Sequence, residues 1–156
     1  MAEQMYNRGI YLLATAALNL SSETIKVMLI QPGYIFDPDH NFVSDITGGS
    51  PNYEVNEDAS GTGYNAGFSG SGRKTLSGKT VTQNDTDDRT EFDHDDFLWP
   101  AIDAGIVLAA VYYKEGTSDA DSELIMYTAP DDAINTGGGD LTIAPQANGV
   151  IWGIGS

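Results

Sequence analysis

The residues best suited to chemistry in this chain are two histidines, His40 and His94, each beside an aspartate. A catalytic zinc site normally needs three protein ligands, often with two histidines on one element, and these two lie far apart in the sequence. Because the chain has no cysteine, a Ser-His-Asp triad is the remaining nucleophilic option. The Gly-Phe-Ser-Gly run that begins at Gly67 lacks the Gly-x-Ser-x-Gly spacing of such enzymes. The sequence therefore predicts a protein that is not an enzyme.

Residues 67–75, GFSGSGRKT, are similar to a phosphate-binding loop, but one extra residue separates Gly72 from Lys74. The spacing matters because backbone amides must surround the phosphate while the lysine reaches over it. We predict instead a glycine-rich loop, about residues 60–78, that is either flexible or an arm ordered against a neighbouring subunit. Arg73, Lys74 and Lys79 supply three of the seven basic residues, and they could pair with acids on a partner.

Acidic runs at residues 85–88, 93–96 and 119–123 have the oxygen ligands that calcium prefers. The first two lack the glycine and distal glutamate of an EF-hand loop. Solvated turns are the favoured interpretation, and calcium is the minority alternative. We expect no other cofactor.

The composition limits the class of protein. The chain has 156 residues, of which 40% are hydrophobic, and this predicts one folded domain over residues 1–156. A formal net charge of −16 with seven Lys and Arg argues against nucleic acid as a partner. The apolar stretches 10–20 and 105–113 are too short to span a bilayer, and no basic leader begins the chain. We expect synthesis in the cytoplasm and no membrane association.

The periodicity predicts a mainly β fold, an antiparallel β-sandwich or small barrel with a short N-terminal helix. The helix is expected within residues 5–18, with Tyr6, Ile10, Leu13 and Ala17 on one face. Trp99 and Trp152 are interpreted as core residues. Strands and one edge-strand candidate are predicted at these positions: 25–30, 53–55, 79–83, 89–93, 105–113, 123–127, 140–144 and 149–154.

The order of several segments resembles that of small virion structural proteins of tailed bacteriophages. These segments are the GTGY loop at 61–64, KTLSGKTVT at 74–82 and FDHDDFLW at 92–99, preceded by TIKVML at 24–29 and GYIFDPD at 33–39. YYKEGT, LIMY, GGGDLTI and GVI follow in the expected order from residue 112 onward. Residues 143–146, Ile-Ala-Pro-Gln, depart from an Ile-x-Trp-Asn pattern near the end, so the last hairpin could be reshaped here.

The resemblance implies a capsid decoration or cement protein on the outer capsid surface of the virion. Its implied partners are the major capsid protein and further copies of the chain, as a homotrimer or another homo-oligomer. We predict contacts through an extended N-terminal segment, about residues 1–20, and the glycine-rich loop. The candidate contact residues are Tyr6, Arg8, Phe68, Arg73, Lys74 and Lys79. The alternatives are a tail, neck or baseplate component and a host-glycan-binding module that exposes Trp99 or Trp152.

Overall fold

Five antiparallel strands form the central sheet of the computed structural model, which describes residues 2–57, 63–145 and 150–152. The strand order is β1-β9-β8-β2-β3. The strands are β1 (Ala2–Met5), β2 (Ile25–Ile30), β3 (Lys74–Thr75), β8 (Ala109–Lys114) and β9 (Glu123–Ala129). The predicted antiparallel pairing of residues 123–127 with the strongest apolar strand is confirmed as the β8–β9 pair.

Strand β2 is buried on both faces, which explains its continuous apolar sequence. Ile25, Val27 and Leu29 point into one hydrophobic cluster, whereas Met28 and Ile30 point into another. Because successive side chains of a strand point to opposite faces, a run with few polar residues is expected only where both faces are covered. The central sheet therefore lies in the middle of the molecule.

Three shorter sheets of the described residues cover the face of the central sheet on which Ile25, Val27 and Leu29 lie. They pair β11 (Gly139–Ile143) with β6 (Phe97–Ile102), and β12 (Val150–Trp152) with β5 (Arg89–Asp93) and β4 (Thr80–Asn84). A further pair joins β10 (Ile134–Asn135) to β7 (Ile106–Val107). Phe92, Trp99 and Leu141 bring these sheets into the first cluster. The predicted mainly β, antiparallel fold is confirmed in a sandwich-like arrangement, and the strands in the described ranges close no barrel.

The second face is covered by the connection between β2 and β3. Its helical turn α2 (Ser44–Thr47) brings Ile46 into the second cluster, beside Val43 and Tyr34. The edge strand predicted at 53–55 is reduced to one β-bridge between Glu54 and Ile30. The Tyr53 carbonyl also accepts the N–H of Gln31 at 2.9 Å, so this connection is held against β2.

The N-terminal helix is shorter than predicted. Helix α1 spans Asn7–Ala14, and the residues before it form β1. The predicted apolar face is wrong at Ile10, whose side chain is 50% exposed, because Gly9 and Leu12 face the protein instead. A Cβ atom at residue 9 would lie 2.5 Å from the Ile125 carbonyl oxygen, so glycine allows α1 to approach β9 closely.

The hairpin of β4 and β5 is confirmed close to its predicted bounds, with residues 85–88 as its turn. The predicted strand 105–113 is divided into β7 and β8, and strand β6, which contains Pro100, was not predicted. Strand β12 matches residues 150–152 of the predicted 149–154, and the remaining residues lie outside the described ranges. No helix among the described residues is long and apolar enough to cross a membrane.

Candidate functional site

The residues predicted to contact a partner lie in different settings. The Tyr6 side chain is fully buried, and its hydroxyl lies 3.0 Å from that of Tyr34. Arg8 is partly exposed and forms an ion pair with Glu123. The prediction of a contact role is therefore wrong for the Tyr6 side chain, because packing inside the second cluster keeps it from any partner.

Arg73 is the centre of a buried ionic network. Its Nε and Nη2 atoms donate to the two carboxylate oxygens of Glu54 at 2.8 and 2.7 Å. Nη1 and Nη2 also donate to Asp119 at 2.6 and 3.0 Å. The side chains of Arg73 and Glu54 are 1% and 0% exposed. The predicted role of Arg73 as a partner contact is wrong, because its guanidinium is buried and bonded to Glu54 and Asp119 of the same chain.

Further donors complete the network around the two carboxylates. The Tyr64 hydroxyl donates to Glu54 at 3.0 Å, and the N–H of Gly67 donates to its other oxygen at 3.0 Å. Thr47 donates to Asp119 at 2.9 Å. The guanidinium and its two carboxylates therefore join four parts of the chain, around Thr47, Glu54, residues 64–73 and Asp119, in one network.

The pKa values in this network follow from burial and charge. Burial alone would lower the pKa of Arg73, but hydrogen bonds to Glu54 and Asp119 raise it above its usual value. Burial alone would raise the pKa of Asp119, but the hydrogen bonds from the guanidinium and from Thr47 lower it overall. Burial raises the pKa of Tyr113, on which the guanidinium stacks, to about 12. Arg73 and Asp119 are thus charged at neutral pH, and their ion pair helps to fix the fold.

The glycine-rich loop is packed against its own chain from residue 63 onward. The Trp99 indole N–H donates to the Gly72 carbonyl at 2.6 Å. The Gly63 N–H donates to Glu57 at 2.8 Å, and a Cβ atom at residue 63 would lie 2.5 Å from the Ile102 Cα. Neither a flexible loop nor an extended arm describes residues 63–73. Residues 60–62 of the predicted segment lie outside the described ranges.

Glu57 anchors the start of the same loop. Its carboxylate is 3% exposed and accepts backbone N–H groups from Gly63 and Asp103. Burial alone would raise the pKa of Glu57, but these donors and the N–H of Tyr64 lower it overall. A charged carboxylate therefore holds the loop to the end of β6.

The other predicted contact residues remain closer to the surface. Phe68 and Lys74 are partly exposed. Lys79 is also partly exposed, and its ammonium donates to the backbone carbonyl of Glu23. The structure therefore does not gather the six candidate residues into one surface.

The two histidines lie in separate places, and each contacts a tyrosine hydroxyl. His94 is 4% exposed; its Nδ1 lies 2.7 Å from the Asp95 carbonyl oxygen and its Nε2 lies 3.0 Å from the Tyr112 hydroxyl. Since a carbonyl oxygen can only accept, Nδ1 carries the proton and Nε2 accepts from Tyr112. His40 contacts the Tyr34 hydroxyl through Nδ1 at 3.0 Å. His94 thus has a structural role as a buried neutral ring.

The acidic run at residues 119–123, for which calcium was the minority interpretation, forms a turn that bonds to its own backbone. Asp121 accepts the N–H groups of Thr117 and Ser118 at 3.0 and 2.6 Å. These donors lower the pKa of Asp121, with the Thr117 hydroxyl as the largest cause. Within residues 2–57, 63–145 and 150–152, no group of three acidic or histidine side chains is arranged to hold a metal ion.

Trp99 is fully buried between Tyr64 and Phe97, as the core interpretation predicted. It therefore cannot serve as the exposed platform of a glycan-binding module. The backbone of Trp152 lies in β12, and its side chain falls outside the part of the structure described.

The candidate binding surface is an apolar groove of about 500 Å³ between α1 and the β4–β5 hairpin. On this side of the molecule, Ile10 and Val81 are 50% and 45% exposed, and Tyr11 beside Ile10 is 55% exposed. The groove is lined in part by Met5, Ile10, Leu13, Leu20, Val81 and Phe92. The sequence pattern of Ile10–Leu13 indicates this surface, because four successive apolar residues on a helix cannot all face one core.

Comparison of the chain with protein-family models, with curated proteins and with solved structures finds no match.

Proposed function

We propose that the chain is a capsid decoration protein of a tailed bacteriophage, which binds the outer face of the shell and stabilises the lattice of major capsid proteins. The resemblance of its segments to small virion structural proteins supports this role. A non-catalytic β-domain with an acidic exterior and a preformed apolar surface suits it. A protein that binds only the assembled lattice stabilises it by mass action, and many linked copies increase the effect.

The observation that carries the proposal is the exposed apolar surface of α1 and the adjoining groove. Ile10 and Tyr11 are each about half exposed on a short helix that is held against β9. Completing the burial of two such side chains contributes on the order of 1 kcal/mol each. Interface cores are depleted in charged residues, and the residues that line the groove are uncharged.

The internal structure suits a clamp that must hold its shape under load. The Arg73 network ties four segments together, and the central sheet is covered on both faces. Because these contacts make the domain rigid, its α1 surface loses little conformational entropy when it binds. We therefore expect α1 to dock without rearrangement.

The location is tested by quantitative mass spectrometry of separated heads and tails from virions of the phage that encodes the chain. Abundance close to that of the major capsid protein in the head fraction is the expected result. A few copies in the tail fraction would show a tail, neck or baseplate component instead. Absence from both fractions would refute a virion role.

The contact surface is tested by adding purified protein to shells that lack it. We expect Ile10→Glu to abolish binding, because a charge in the groove must be desolvated on docking. Ile35→Glu is the matched control, since Ile35 is an isoleucine with 84% exposure that lines a different groove. Equal binding by both variants would exclude the α1 surface.

A further inference from the structure

Strand β4 is an exposed sheet edge with no protection against pairing. It lies at one end of the order β12-β5-β4, and the first four of its five residues are exposed. Its sequence, Thr-Val-Thr-Gln-Asn, contains no charge and no proline. Its register with β5 runs without a bulge from Thr80 to Asn84. Such an edge presents unpaired N–H and C=O groups that can accept another strand.

The other edges of the described sheets carry protection that β4 lacks. Strand β6 contains Pro100, and its partner β11 contains Asp140 and an irregular register. Strand β1 contains Glu3. The strands β3, β7 and β10 have only two residues each, and the described part of β12 has three. Proline, charge, bulges and short length are the usual means of blocking an edge. The exception at β4 therefore suggests that this edge has a partner.

The residues that flank β4 identify a second copy of the same chain as that partner. Lys79 precedes the strand and Asp85 follows it. In an antiparallel pair centred on Thr82, Val81 of each chain lies opposite Gln83 of the other. Lys79, just before the strand, then comes near Asp85, the first residue of the turn, in the other chain. Two copies of this edge therefore have complementary charges when they pair antiparallel. We propose that two copies pair through β4 about a two-fold axis at Thr82.

This pairing would make one continuous sheet from the two hairpins. Val81 and Phe92 are directly opposed in the β4–β5 register, so they share a face. The same face would continue across the axis and bring the two apolar grooves side by side. Lys79 can keep its bond to the Glu23 carbonyl, because an ammonium has three donors. The net charge of −16 per chain opposes association, so added salt should strengthen the dimer until it screens the Lys79–Asp85 pairs.

The inference is independent of the proposed capsid role, because it concerns the isolated chain. The first test uses disulfide trapping, for which the native chain offers no competing cysteine. In Thr82→Cys the two Cα atoms across the axis would be about 4.5–5.5 Å apart, within the range that a disulfide spans. Thr86→Cys is the control, since the two copies of Asn84 would already be roughly 13 Å apart at 3.3 Å per residue, and Thr86 lies beyond Asn84 in the turn. We expect rapid covalent dimerisation of Thr82→Cys alone.

The second test measures association without a cross-link. Sedimentation velocity over a concentration series should show a monomer–dimer equilibrium for the native chain and a monomer for Thr82→Lys, which places two like charges at the axis. Thr86→Lys adds the same charge in the hairpin turn and should remain dimeric. Lys79→Glu and Asp85→Lys should each weaken the dimer, and the double variant should restore it.

Three results would overturn the proposal: a monomeric native chain at every concentration, equal trapping of the two cysteine variants, or a dimer that Thr82→Lys does not weaken. If the native chain is monomeric but Thr82→Lys loses binding to shells, the edge pairs with a capsid protein rather than a second copy. Because the capsid test with Ile10→Glu addresses a different surface, failure of one proposal is distinguishable from failure of the other.

Discussion

Replacing Arg73 by methionine should cost more stability than any other change of a basic residue in this chain. The substitution keeps much of the apolar stem but leaves the fully buried carboxyl group of Glu54 without its cation. Removing one partner of a buried ion pair typically costs 3–5 kcal/mol. The N–H of Gly67 and the hydroxyl of Tyr64 still donate to Glu54, so we expect about 3 kcal/mol, at the lower end of that range.

The free energy of unfolding can be measured by urea titration with tryptophan fluorescence as the signal. Trp99 is buried and bonded to the residue next to Arg73, so its emission reports on this region. A loss of about 3 kcal/mol corresponds to a fall in Tm of roughly 6–12 °C for a domain of this size. Glu54→Gln in the Arg73→Met background should recover part of the loss, because it removes the unpaired charge.

Arg89→Met is the matched control. Arg89 also bonds two carboxylates, Asp87 and Glu91, but at the surface of the hairpin. Exposed ion pairs contribute little because water and salt screen them. If Arg73→Met destabilises the chain no more than Arg89→Met does, the conclusion that the Arg73 network fixes the fold is wrong.

Two further changes test the packing described above. Burial lowers the pKa of His94, despite the opposing charges of Asp93, Asp96 and Asp95, so the unfolded chain binds a proton at a higher pH than the folded one. The free energy of unfolding should therefore fall as pH drops from about 6.5, the ordinary histidine pKa, towards the pKa of His94 in the folded protein. In urea titrations across that pH range, His94→Gln should flatten this dependence. An unchanged slope would contradict the assignment. Gly72→Ala should cost about 1–3 kcal/mol as overpacking, because its Cβ would lie 2.5 Å from the Tyr64 ring. Gly137→Ala, where the new Cβ meets nothing within 4 Å, should be close to neutral in the same urea titration.

The sequence predicted those elements whose pattern is local. The continuous apolar run of β2 and the alternation on either side of the acidic turn in β4–β5 were both sufficient. Strand β6 was not predicted; it contains Pro100, and proline is tolerated in a strand only at an edge or a bulge. Strand β1 has no strong pattern of its own, and its pairing with β9 depends on residues more than a hundred positions away.

The candidate sites depended more on distant contacts than on motifs. Arg73 looked like a surface residue because it follows three glycines, yet its acceptors are Glu54 and Asp119, 19 and 46 residues away. No local signal distinguishes a buried arginine from an exposed one. The exposure of Ile10 likewise follows from the close approach at Gly9, which rotates the helix so that Leu12 faces the core.

The internal pairing of basic side chains determines how the molecule appears to an approaching partner. Arg8, Lys26, Arg73, Arg89 and Lys114, five of the seven basic residues, are engaged by acids of the same chain. The excess carboxylates are left to set the electrostatic potential outside the protein. A basic surface would therefore capture this chain from a distance and in many orientations, whereas an acidic one would repel it before any side chains touched. Ionic strength should change the association rate constant more than the dissociation rate constant.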